Sequence, residues 1–326
     1  MRLFRRIASY ALLVALVVGA GWLVWQRQAF GDWLVLRNYH APTDVTRLAD
    51  DTTMTTASRH FFYINKPLLQ GRTTFNQHCT NKTEQSVVLG CYKGNRQGIF
   101  LYAVSDTRLH GVEQVTAAHE MLHQAYDRLR PSERKRIDRL VQDFYDQGTF
   151  DEDIHTQIEA YKKSEPNDLN DEMHSLFGTE VSSLPDELER YYARYFRDRS
   201  RVVAYNTAYQ GEFAKRKAQV AGYDQQLAAM KTELTSKQHD LDVRQTAIHQ
   251  KKAQLDHENS PEQIDVYNAD VVAYNAMAQA YNEELAATKR LITEYNQLIE
   301  ARNAIALQEQ QLQQALDSRL TPVGGQ

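Results

Sequence analysis

The apolar and polar positions of this chain fall into three regimes. The first is one continuous apolar run, residues 7–25, which holds 19 residues without a charge. As a helix it would cover about 28 Å, close to the hydrocarbon thickness of a bilayer. Arg2, Arg5 and Arg6 precede it and Trp22 and Trp25 close it. That arrangement predicts a transmembrane anchor over residues 1–30, with a cytoplasmic N-terminus and the rest of the chain facing the periplasm or cell exterior. A cleaved leader is the alternative, since Val18-Gly19-Ala20 resembles a small-residue cleavage site. The run continues past that point into the tryptophans, which favours the uncleaved anchor.

The second regime consists of short apolar runs. Residues 31–58 show no periodicity and read as a connector. Residues 61–65 read as a strand ended by Pro67, and residues 86–91 and 98–104 as two more. Gly94 and Asn95 between the latter pair suggest a hairpin, so a small antiparallel sheet is expected. Helical segments follow. Pro131-Ser132-Glu133 opens one that runs to about Gln147, and another covers 154–163 and stops before Pro166. Pro185, followed by Asp186, Glu187 and Glu189, starts a helix expected to continue unbroken to about His257.

The third regime is heptad-periodic. Phe213, Val220, Leu227, Leu234, Leu241, Ile248 and Leu255 recur every seven residues, and Tyr209, Tyr223 and Met230 precede three of them by four. Asn259-Ser260-Pro261 breaks the pattern. It resumes with Ile264, Val271, Ala278, Leu285, Ile292 and Ile299, with Tyr267, Tyr274, Tyr281 and Tyr295 at a second core position. Each of those tyrosines precedes an asparagine, and the stripe reads as packing. Two arms sharing one turn predict an antiparallel coiled-coil hairpin over residues 201–320, turning near 258–262, with arms of about 80–90 Å and a frayed tail at 321–326. Only 7 prolines and 14 glycines, few of them beyond residue 200, agree with long helix.

The 326 residues give room for about two domains. A net charge of −4 leaves no electrostatic footprint for nucleic acid. Cys79 and Cys91 are the only cysteines. Outside the cytoplasm they would pair, closing a loop worth about 3 kcal/mol.

The chemistry centres on Val115-Thr116-Ala117-Ala118-His119-Glu120-Met121-Leu122-His123-Gln124-Ala125. On a helix, residues four apart share a face, so His119 and His123 can address one ion. Glu120 is placed to take a proton from a water at that ion. Ala117, Ala118, Met121 and Leu122 suit a buried helix. A catalytic zinc takes three protein ligands and keeps one open position. Residues 168–181 offer Glu172 and Glu180, with Glu159 a more distant candidate. Glu172 and Glu180 lie about 12 Å apart along a helix, so both cannot bind one ion. Glu172 is favoured because Ser175 and Gly178 follow it and allow close packing on the histidine helix. His174 could orient a water or stabilise an oxyanion, but reads first as a solvated histidine.

This motif and its flanks resemble the zincin metallopeptidases, and a glutamate as third ligand is similar to the glutamate-zincin branch. The resemblance covers roughly residues 60–197 and lacks the extended third-histidine motif. It implies an α+β metallopeptidase-like domain over residues 59–200. It also implies that Ile99, Phe100, Leu101 and Tyr102 form the edge strand beside which an extended substrate lies. The expected function is a membrane-anchored zinc endopeptidase. Zn²⁺ would be held by His119, His123 and Glu172, with Glu180 second in line and Glu120 catalytic. Its partners would be a peptide or protein substrate, with the hairpin as an arm for substrate or protein partner. The alternative is an envelope scaffold in which the hairpin binds partners and the metal domain is structural or inactive.

Overall fold

The computed structural model describes residues 28–79, 88–148, 150–257 and 264–319. The chain divides into two compact units, Met1–Gln210 with Gln314–Gln326, and Gly211–Gln313.

In the first unit, helix α1 (residues 28–36) is tied down by one carboxylate. Asp32, buried, accepts hydrogen bonds from Arg128 Nη1 and Nη2 at 3.1 and 2.9 Å and from Arg96 Nε at 2.8 Å, and meets His60 Nε2 at 3.1 Å. Burial alone would raise its pKa. The bonds from Arg128, His60 and Arg96 more than offset this and hold it below the ordinary value.

Helix α2 (Thr43–Asp51) and helix α3 (Thr56–Tyr63) occupy much of what the sequence presents as a connector. Val45, Leu48 and Ala49 of α2 are in the core. The strand expected at 61–65 is instead the end of α3. Thr55 Oγ1 accepts the Ser58 N–H at 3.3 Å and caps the helix, and Phe62 then falls on the same buried face as Ser58.

The sheet has three short strands in the order β1-β3-β2. Strand β1 (Leu68–Gln70) runs parallel to β3 (Gly98–Tyr102), and β2 (Gly90–Lys93) runs antiparallel to it. The β2–β3 hairpin is present. Asn95 and Arg96 take φ of 59° and 60° in its turn, the left-handed pair that a tight hairpin requires. The strand expected at the edge, Ile99 to Tyr102, lies in the middle, because all five residues of β3 are buried and both sides are paired. The edge strands are β1 and β2.

Between β1 and β2 lies helix α4 (Arg72–His78), and Cys79 just after it forms a disulfide with Cys91 of β2. Asn76 of α4 donates to Ser318 O at 2.5 Å, and Ser318 Oγ to Val88 O at 2.6 Å, so Ser318 is stitched beside the start of β2.

Helix α5 (Val112–Asp127) runs through the core, and Ala117, Ala118, Met121 and Leu122 are fully buried. Helices α6 (Pro131–Gln147), α7 (Glu152–Ser164) and α8 (Leu169–Thr179) follow, at the positions their proline and acid signals suggest. The long helix expected from Pro185 is broken. Helix α9 (Asp186–Tyr192) ends, and α10 (Arg199–His257) begins after residues 193–198 pair with Thr53 and Thr55. Tyr195 and Phe196 are buried there, and Asp198 Oδ1 accepts the Ser200 N–H at 3.1 Å. Those long-range bonds replace the local ones that a continuous helix would make.

The α+β expectation is therefore corrected. Helix makes up 77% of the described residues, and the sheet is small and mixed, not antiparallel. Short apolar runs do not by themselves separate strand from helix; caps and tertiary pairing decide. The membrane placement is corrected too. The run at 7–25 lies outside the described residues, and among the described residues no helix is long and apolar enough to cross a membrane. The long helices α10 and α11 (Ile264–Leu316) carry charges along their length. An expected single-pass protein with an outward-facing domain is thus not supported.

The second unit is a pair of long helical segments, from α10 and α11. Asp224 pairs with Arg302 at 3.0 Å, Lys237 with Glu284 at 2.9 Å and Lys251 with Asp270 at 2.8 Å. One number rises as the other falls, so the arms are antiparallel. Leu241 lies buried in the seam, whereas Ile264, Tyr267 and Ile292 remain exposed. The turn at 258–263 and the tail from 320 lie outside the described residues.

Candidate metal centre

Helices α5 and α8 pack closely, and the contact explains where the site residues go. Ser175 and Gly178 face the seam. A Cβ at Gly178 would stand 2.4 Å from Leu122 Cδ1 and 2.7 Å from Tyr192 Cε1, so only glycine lets α8 seat there. With the helices so placed, His119 and His123 on α5 both face Glu172 in the first turn of α8.

His119 Nε2 lies 3.6 Å from Glu172 Oε2, and His123 Nε2 lies 3.7 Å from Glu172 Oε1. The three can each offer one ligand atom, all within 4.8 Å of one another, a group that could hold a metal ion. Donors about 2.0–2.1 Å from a tetrahedral ion stand roughly 3.3 Å apart, so a small inward movement would seat one. The far nitrogen of His123 is accounted for. Nδ1 meets Asp171 Oδ1 at 2.9 Å and Ser175 Oγ at 3.4 Å. A proton held on Nδ1 by that carboxylate would let Nε2 give its lone pair to a bound ion.

The charges are strongly coupled. Burial would lower the His123 pKa, but Asp171 and Glu172 together push it well above the usual imidazole value. Glu172 shows the reverse: burial would raise it, yet the charges and hydrogen bonds of His123 and His119 pull it down to about 2. Glu120, buried beside them, has its pKa raised, first by desolvation and again by Glu172, against the pull of the two histidines. Strand β2 closes over it. A Cβ at Gly90 would lie 2.6 Å from Glu120 Oε1 and 2.5 Å from Thr116 Cγ2, so the strand backbone rests directly on this carboxylate.

A cleft of about 490 Å³ opens onto these groups. Gly90, Cys91, Tyr92 and Lys93 of β2 line one side, and Gln157 and Tyr161 of α7 line another, with Glu180 and Tyr209. Glu180, at the C-terminal end of α8, stands apart from the three-residue cluster. Its Oε2 accepts from Gln157 Nε2 at 3.2 Å, and burial raises its pKa against the influence of His119 and Gln157. Glu159 pairs on the surface with Lys162 at 2.7 Å. His174, expected to be solvated, is fully buried. It shares a hydrogen bond of 2.9 Å with Tyr191 Oη, and burial drives its pKa well below the usual value, so it is a neutral core histidine outside the cleft.

Sequence reasoning missed Asp171, although its position one residue before Glu172 was a usable signal. The contribution of β2 was also missed, since pairing order is invisible in a strand's own residues. Set against known proteins, the chain matches no family model, no curated protein and no solved structure.

Proposed function

We propose that this chain is a zinc-dependent endopeptidase, with His119, His123 and Glu172 as metal ligands and Glu120 as the group that moves the proton. The observation that carries this reading is the meeting of two imidazole Nε2 atoms on one carboxylate, beside a second buried carboxylate, at the floor of an open cleft. The donor set supports zinc. Two imidazoles and one carboxylate make a three-ligand catalytic set, whereas structural zinc sites usually close with a fourth protein ligand. A bound zinc ion supplies Lewis-acid polarisation of a carbonyl and brings the pKa of a water to about 7.

The chain's own groups do the rest. Asp171 orients His123 through Nδ1 and keeps its other nitrogen basic. Glu120, its pKa raised by burial, takes the proton of the attacking water and returns it to the leaving amine. Among the described residues the β2 strand is paired on one side alone, so its outer main-chain groups are placed to align an extended peptide across the cleft.

The test is Glu120→Gln in the full chain loaded with zinc. Peptide cleavage should fall by roughly 10²–10⁴-fold while zinc content stays at the wild-type level. Cleavage undiminished in the variant refutes the proposal. Metal analysis of Glu172→Ala and Glu180→Ala checks the ligand assignment: the first should lose zinc and the second retain it.

A further inference from the structure

We infer that Glu180 is a specificity residue that receives a lysine or arginine side chain of the substrate; this rests on the peptidase reading above and deepens it. The wall of the cleft around Glu180 is built from hydrogen-bond acceptors and aromatic rings. Glu180 reaches it from the C-terminal end of α8, Gln157 and Tyr161 from α7, and Tyr209 from the start of α10. Among the described residues, no lysine or arginine belongs to this wall. Among the lining residues the one ammonium is Lys93 on β2, and it lies over the Phe100 ring at 5.6 Å.

Glu180 is half-buried, and the hydrogen bond from Gln157 Nε2 falls on Oε2. That bond uses one of the two Gln157 amide hydrogens, and the Gln157 carbonyl oxygen is a second acceptor. Tyr209, buried, accepts from Gln210 Nε2 at 3.3 Å, so its own hydroxyl proton can be given elsewhere. A carboxylate so desolvated is stabilised most by a cation brought into contact with it, and a substrate side chain is the mobile source of one. Tyr161 and Tyr209 offer faces for its methylene stem.

Glu180 follows Glu172 by eight positions and caps the C-terminal end of the same helix, so both carboxylates line one cleft. A norleucine in place of the cation would leave the Glu180 carboxylate with Gln157 alone, and a glutamine would bring a hydrogen bond without the charge.

The experiment uses the zinc-loaded full chain and a set of fluorogenic peptides with lysine, arginine, norleucine, glutamine or glutamate at each position flanking the cleaved bond. Wild type should prefer lysine or arginine at one position by at least about 100-fold in kcat/KM. Glu180→Gln should reduce that preference to within a few-fold, chiefly by lowering kcat/KM on the lysine and arginine peptides. Glu180→Lys should shift the preference toward glutamate. A second readout is independent of cleavage: anisotropy binding of the lysine and norleucine peptides to Glu120→Gln, and to Glu120→Gln combined with Glu180→Gln. Lysine-selective binding should vanish only in the double variant. Cleavage without a cationic preference, or a preference that survives Glu180→Gln, overturns this inference and leaves the peptidase reading standing. Lysine-selective binding that depends on Glu180 in a wild type that cleaves nothing overturns the peptidase reading and keeps the cation site. Neither cleavage nor selective binding overturns both.

Discussion

Replacing Gly178 by alanine probes the contact that assembles the centre. The added methyl would stand 2.4 Å from Leu122 Cδ1 and 2.7 Å from Tyr192 Cε1, where carbon atoms rest at about 3.5–4.0 Å. Both neighbours are fully buried, so neither has open space to move into, and α8 must lift from α5 by about 1 Å. Alanine gains about 1 kcal/mol of helix propensity over glycine. Overpacking a filled core costs about 1–3 kcal/mol, which leaves a net loss of up to about 2 kcal/mol. For a unit of this size that lowers Tm by roughly 2–4 °C per kcal/mol. The larger effect should be on metal. Glu172 rides on α8, and a movement of about 1 Å exceeds the roughly 0.2 Å tolerance of a zinc bond. Zinc affinity should therefore fall at least tenfold, or about 1.4 kcal/mol. Gly222→Ala is the control, because a Cβ there meets nothing within 4 Å. It should stabilise the second unit by about 0.5–1 kcal/mol and leave zinc binding alone. Circular dichroism melts and zinc competition with a chromophoric chelator measure both quantities. A Gly178→Ala protein that behaves like Gly222→Ala in the two assays refutes the close-packing argument.

Two further outcomes follow from individual hydrogen bonds. Asp171→Asn should weaken zinc binding by about 10–100-fold, read by the same competition, because His123 loses the carboxylate that fixes its tautomer. Asp32→Asn should cost about 1–3 kcal/mol at neutral pH in urea unfolding, below the roughly 3–5 kcal/mol of a fully buried pair, since Arg96 and Arg128 keep some exposure. The folded pKa of Asp32 lies below its ordinary 3.8, so its contribution is complete above that value and is lost as pH falls through the folded pKa. The variant's deficit should therefore shrink in strong acid, and a deficit independent of pH would contradict the assignment.

The sequence by itself determined what local physics controls. Residues four apart on a helix share a face, which put His119 and His123 together. Proline and acid signals placed the starts of α6 and α9 close to where they fall. Heptad spacing marked the two arms whose ion pairs run antiparallel. The close approach of α8 was legible too, since Ser175 and Gly178 are small. What local pattern could not decide, long-range contact did. The end of α3 looked like a strand until Thr55 capped it, and β3 became central because β1 and β2 pair with it from either side. The helix after Pro185 broke because Thr53 and Thr55 claim the backbone of residues 195–198. Asp171 gained its role only when folding brought it to His123, across 48 positions of sequence. Each of these outcomes is a competition between a local bond and a distant one, and only the folded chain brings the distant partner within reach.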